Sequence, residues 1–189
     1  MEFNLFQSLI VGVLVAASAS LLGAFAILKR MALVGDALSH VALPGIALAL
    51  IFNFNPFLGA LAFLFIATLG IWFLEYRSRL SIDTIVGIFF ATSLALGALI
   101  TPETELLEAL FGDIANLNVY EAGVSIFASI ALFIFLIIIR KKLALNMLSQ
   151  DLAHSIGVKN KKLELMYLLI FALAVALGIR FVGALLMGS

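Results

Sequence analysis

Cysteine is absent from the 189 residues, so neither a disulfide framework nor a thiolate metal site can exist within this chain. Charge is scarce too. Only 12% of residues are charged and the 11 basic and 11 acidic side chains cancel, which argues against nucleic acid as a partner. A Gly-rich phosphate loop of the Walker type is also missing, so ATP hydrolysis, if any is needed, must belong to another subunit, and the chain itself is not expected to be an enzyme.

What is there is apolar. Hydrophobic residues make up 65% of the chain and the mean hydropathy is +1.25, far from the composition of soluble domains. Runs long enough to cross a bilayer as helices, at about 20 residues each, recur from end to end with no polar domain between them. A single membrane-embedded unit over residues 1–189 is expected. The first run has Glu2 rather than basic residues ahead of it and is long for a signal peptide, so it reads as a retained helix.

The apolar runs place helices over 5–28, 37–52, 57–75, 84–101, 119–139 and 163–179. A seventh run opens at Phe181 and stops at Ser189. The fold class expected is therefore all-α: a polytopic transmembrane helical bundle of about six full spans plus the start of a seventh. Asn53, Asn55 and Pro56 mark one turn and "RSRLSID" another.

Basic residues test that count, because Lys and Arg collect on the cytoplasmic side of a membrane protein. Lys29 and Arg30 follow the first run, Arg77 and Arg79 the third, and Arg140, Lys141 and Lys142 the fifth; Lys159, Lys161 and Lys162 precede the sixth. With alternating crossings all of these fall on one side and only Arg180 on the other, which predicts an extracytoplasmic N-terminus. Trp72 and Tyr76 flank the third run as an inner aromatic belt would. Outside, Leu106, Leu107, Leu110, Phe111 and Ile114 recur at helical spacing among acidic residues, as in a short interfacial helix.

Two stretches stand apart. At 145–157, Leu145, Leu148, Leu152 and Ile156 form a stripe while Asn146, Ser149, Gln150, Asp151 and His154 take other faces, and Gly157 can close the helix. This amphipathic cytoplasmic helix serves either as a surface linker or as a docking surface for a soluble partner. In "VGDALSHVALPGIALAL", residues 34–50, Asp36 and His40 are four apart and share a helix face. Pro44 frees the carbonyl of His40, and Gly35 and Gly45 bracket the cluster and permit close backbone approach. Carboxylate oxygen and imidazole nitrogen suit zinc, manganese or iron, and two ligands are too few for a closed structural site. Three readings of the pair stand open: Asp36 as N-cap with His40 hydrogen-bonded to a neighbouring helix, a metal path, or a proton relay.

"GDALSHVALPGIALA" resembles the hallmark stretch of the permease subunits of zinc and manganese ABC importers, the ABC-3 family, which share the type II importer architecture. "LFGDI", residues 110–114, looks like that family's outer segment. "DLAHSIG", residues 151–157, is similar to its cytoplasmic coupling helix, and "FVGALLMGS" looks like the start of its next helix. The resemblance implies an importer permease for a divalent cation, with Asp36 and His40 lining the metal path. It implies that Asp151, Ala153 and Gly157 meet an ABC ATPase, and that a second permease chain and an extracytoplasmic metal-binding protein complete the assembly. No permanently bound cofactor is implied; the metal is cargo. The implied location is the cell inner (plasma) membrane.

Because family members continue beyond this point, the chain looks C-terminally truncated and is expected to form no transport-competent complex alone. Rival readings are an ABC permease for iron chelates or cobalamin, an ion-coupled secondary carrier using Asp36 and His40, and a non-transporting scaffold. A bare cation suits Asp36 and His40 better than a chelate, which offers them no open coordination positions. A docking helix suits an ABC permease better than a carrier.

The one-sided basic residues yield a labelling prediction. Cysteine placed at Ser78 should react only with reagent added from the cytoplasmic side, and cysteine at Thr104 only with reagent from outside. Labelling of both from one side would overturn the span count.

Overall fold

A computed structural model describes residues 2–29, 31, 33–100, 119–148 and 160–182 as a bundle of six helices. They are α1 (Glu2–Leu28), α2 (Val34–Ile51), α3 (Pro56–Arg77), α4 (Ile82–Ile100), α5 (Val119–Leu148) and α6 (Asn160–Val182). Each expected apolar run lies in one of them. Four stretches of the described residues are long and apolar enough to cross a membrane, namely Val34–Ile51, Pro56–Arg77, Ile82–Ile100 and Lys161–Ile179, while α1 holds a shorter apolar stretch, Gly12–Leu28. Helices are the expected solution because hydrocarbon offers backbone groups no partner outside the segment itself.

The turns form where the local chemistry demands. Asn53 adopts φ 54°, and around it Asn53 N–H donates to Leu50 O at 3.2 Å and Phe54 N–H to Ala49 O at 2.9 Å. This pairing satisfies the last carbonyls of α2, and Asn tolerates the left-handed backbone that it needs. Asn55 then caps α3, its Oδ1 accepting from Phe57 N–H at 2.9 Å, with Pro56 at the first helical position. At the next turn Ser81 caps α4, its Oγ accepting from Thr84 N–H at 3.3 Å.

α2 lies at the centre of one half of the bundle, packed on α3, α4 and α6, while α1 packs on α5 and α6. α2 and α6 are mostly buried, and α3 and α4 turn most of their surface outward. α2 and α3 cross closely at Gly45 and Gly59. A Cβ on Gly45 would run into the Gly59 carbonyl and lie 2.7 Å from Phe63 Cβ; a Cβ on Gly59 would run into the Gly45 carbonyl. Close approach at Gly45 is thus required, as the sequence suggests. Gly35 is different: a Cβ there would meet Phe171 Cζ at 3.8 Å, an ordinary contact.

Two boundaries differ from the sequence reading. The fifth helix does not stop near 139 but continues through Arg140, Lys141 and Lys142 to Leu148, so residues 145–148 belong to α5 rather than opening a separate amphipathic helix. That adds about 13 Å beyond Ile139. Likewise α6 runs unbroken through Arg180 to Val182, so the run opening at Phe181 begins inside the sixth helix. In both places the helix runs through a basic residue because Lys and Arg are good helix formers and their long stems can carry the charge away from an apolar surface.

The glycine crossing yields a stability prediction. Gly45→Ala should destabilise by about 1–3 kcal/mol, because the added methyl meets backbone rather than a movable side chain. Gly12→Ala, where nothing lies within 4 Å of the added carbon, should be neutral or slightly stabilising. Thermal unfolding of the purified protein in detergent measures both, and an unchanged Tm for Gly45→Ala would show that the helices have room to spare.

Candidate functional site

Asp36 and His40 come together on α2 as their spacing predicts. The N-cap of this helix is Leu33, which makes no side-chain cap hydrogen bond, so Asp36 is not the cap but lies inside the first turn. A carboxylate there is favoured by the positive end of the helix dipole. His40 Nε2 stands 3.5 Å from Asp36 Oδ1, within reach of an ion pair but longer than a normal hydrogen bond.

The two side chains face different surroundings. Asp36 is 43% exposed, whereas His40 is 16% exposed and meets the edge of Phe90 on α4, with ring centroids 5.3 Å apart. His40 Nδ1 is buried and has no hydrogen-bond partner among the described residues. The packing alternative, in which a neighbouring helix bonds the imidazole, therefore finds no support there. Ser39, fully buried between them in sequence, spends its hydroxyl on Asp36 O at 2.7 Å.

A buried nitrogen without a partner is costly unless something occupies it part of the time. An accessible carboxylate oxygen one helical turn away supplies a second donor for a divalent cation. Among the described residues no group of three or more His, Asp, Glu or Cys side chains could hold a metal ion, so the pair offers a partial coordination shell. Such a shell can grip a cation in passing and release it.

Pro44 and Gly45 lie buried one turn further on, where α2 touches both neighbours. Gly97 of α4 comes close to Leu43 and Pro44, and Gly59 of α3 to Gly45. The Pro44–Gly45 stretch is thus clamped from both sides.

The sequence reading missed a second polar cluster, at the end of the bundle where α1 and α3 finish and α6 begins. Lys29 forms ion pairs with Glu75, at 3.6 Å, and with Glu164. Tyr76 Oη donates to Glu164, Trp72 Nε1 donates to Lys161 O at 3.1 Å, and the Lys161 ammonium sits 4.6 Å from the Tyr76 ring centroid. Burial pushes the Lys29 ammonium below the ordinary lysine range, and the neighbouring Glu75 carboxylate pulls it back up. Trp72 and Tyr76, expected as a lipid-interface belt, also hold α3 to α6. Their contacts place the ends of α1 and α3 and the start of α6 at one end of the bundle, as alternate crossings require.

Asp151, Ala153 and Gly157 lie outside the described residues, as do the outer segment at 110–114 and the last residues from 183 to 189.

Comparison with known proteins bears on what this pair serves. The model of the ABC 3 transport family matches residues 1–189. The chain belongs to that family. Among its relatives, the manganese import system permease protein ScaB of Streptococcus gordonii is 32% identical over 98% of this chain and 68% of its own length. The high-affinity zinc uptake system membrane protein ZnuB of Haemophilus influenzae is also 32% identical, over 98% of this chain and 73% of its own. In solved structures the fold is similar to PsaBC from Streptococcus pneumoniae in complex with Fab, with a TM-score of 0.80 and 28% identity over 98% of this chain and 68% of that one. This ABC 3 chain is thus a multi-pass, all-helical membrane protein of the transporter-permease kind.

Proposed function

We propose that this chain is the transmembrane permease subunit of an ABC importer for manganese or zinc, and that Asp36 and His40 line the path of the cation. Membership of the ABC 3 transport family supports the class. The observation that carries the path is His40 Nε2 standing 3.5 Å from the accessible Asp36 carboxylate on α2, while the other ring nitrogen, Nδ1, is buried without a hydrogen-bond partner among the described residues. Manganese and zinc are the cations in the names of the relatives, so the cargo narrows from the zinc, manganese or iron that the donor set alone admits. The same names, together with two donors free to coordinate, favour a bare cation over a chelate.

The chain carries no phosphate-binding loop, so an ATPase subunit supplies the hydrolysis. A second permease chain completes the path and an extracytoplasmic binding protein delivers the metal. Asp151, Ala153 and Gly157 form the ATPase contact, in the plasma membrane with the N-terminus outside.

In the chemistry proposed, the cation loses part of its hydration shell to the Asp36 oxygen and a His40 nitrogen. With only two protein donors the cation leaves as readily as it binds, which suits a site visited once per transport cycle.

His40→Ala should abolish metal uptake per folded complex while altering stability by less than about 1 kcal/mol, the scale of a hydrogen bond between membrane helices, because no partner group is stranded. Asp36→Asn should weaken uptake as well, since an amide is a poor metal ligand. Uptake in vesicles with radioactive manganese or zinc, normalised to folded complex, measures both. Normal uptake by His40→Ala at wild-type stability would sink the metal path. A proton relay predicts instead that His40→Gln flattens the pH dependence of uptake while metal affinity persists.

A further inference from the structure

The cluster of Lys29, Glu75 and Glu164 has an arrangement that a static brace does not need. One ammonium, Lys29, faces two carboxylates, Glu75 and Glu164, from two different helices. Lys29, Glu75 and Glu164 are all largely withdrawn from solvent, with side chains 16%, 20% and 10% exposed. The second oxygen of Glu75 is buried without a hydrogen-bond partner. One positive charge cannot neutralise both carboxylates, and in a partly desolvated setting an unshared charge is costly. Lys29 therefore has two pairings of comparable kind available, one to α3 and one to α6, and a small displacement of either helix changes which is closer.

The covalent connections give this exchange a direction. Lys29 directly follows α1 and lies in the turn that leads into α2, where Met31 is fully buried and Val34 N–H donates to Met31 O at 3.2 Å. Asp36 lies in the first turn of the helix that this anchored turn introduces. Glu164 lies in the opening turns of α6, directly after the cytoplasmic segment that includes Asp151, Ala153 and Gly157. Tyr76 and Trp72 bind Glu164 and the Lys161 carbonyl, so the start of α6 cannot move without pulling on the end of α3.

We propose that Lys29, Glu75 and Glu164 form a coupling joint in which Lys29 changes carboxylate partner during the transport cycle, tying movement of the start of α6 to the first turn of α2. This rests on the reading of the chain as an ATP-driven permease. The three are positioning residues: none touches the cation, and they act on Asp36 and His40 through the turn between α1 and α2.

The test uses the assembled transporter in proteoliposomes, with this chain's residues within a full-length permease, and ATP hydrolysis and manganese uptake measured together. Glu75→Gln leaves Lys29 one charged partner and removes the exchange. It should keep subunit assembly and ATP hydrolysis and lower the number of cations taken up per ATP by about tenfold, within the range of ordinary allosteric couplings. Lys29→Arg, which keeps the charge, should retain at least partial coupling. A brace with no part in coupling would show as a lower melting temperature, with uptake per ATP unchanged in the complexes that survive; that result overturns the joint. If Glu75→Gln fails to assemble, Glu164→Gln, which likewise leaves Lys29 one charged partner, is measured in its place, and an unchanged ratio there again overturns it. Absence of ATP-driven uptake by the wild-type complex would overturn the permease reading and the joint with it, whereas wild-type uptake with an unchanged ratio in the variants overturns the joint alone.

Discussion

The crossing of α2 and α3 at Gly45 and Gly59 is the contact on which the arrangement of this bundle depends. Lipid tails are as apolar as leucine, so burial of hydrophobic surface does not drive helices together inside a membrane as it does in water. Close packing must supply the attraction, and dispersion forces reward it only when atoms approach to contact. At Gly45 and Gly59 the two backbones come as near as helices can, which neither would allow with a Cβ. Gly97 repeats the device more loosely on the α4 side, against Leu43 and Pro44. α2 is thus held at its middle by both neighbours.

That clamp has a consequence for the polar groups. His40 lies one turn before Pro44, so the imidazole is carried into the space between α2 and α4, where Phe90 covers its ring edge. Two buried hydroxyls find partners close at hand: Tyr167 donates to Leu22 O at 3.0 Å and Ser18 to Leu14 O at 3.0 Å. His40 Nδ1 does not. Thr68 Oγ1 and Ser129 Oγ are likewise buried without a hydrogen-bond partner among the described residues, but at His40 a carboxylate stands 3.5 Å from the other ring nitrogen, which suits a ligand that carries positive charge.

The opposite treatment of charge at the helix ends is equally physical. Lys29, Glu75 and Glu164 lie at one end of the bundle, where partial burial strengthens ion pairs at a lower desolvation cost than full burial would bring. Because the three come from α1, α3 and α6, they link helices that are far apart in sequence and at most partly in contact along their lengths. The two polar centres are joined by the short turn between α1 and α2, with Met31 buried beneath it.

Much of this was legible from residue order alone. The length of each apolar run sets the helices, because a backbone in lipid must bond to itself and a span needs a definite length. Asn53, Asn55 and Pro56 specify their turn through their own backbone preferences, and Asp36 and His40 must share a face because a helix repeats every 3.6 residues. These are local or periodic properties. What only the tertiary structure decided involves partners distant in the chain: that Asp36 lies inside the first turn rather than capping it, that α5 and α6 run on through their basic residues, and that Trp72 and Tyr76 grip α6. The meeting of Lys29 with Glu75 and Glu164 belongs with these, since no periodicity within one helix says which other helix ends beside it; that follows from the packing at Gly45 and Gly59 and from the order in which six helices can fit around one another.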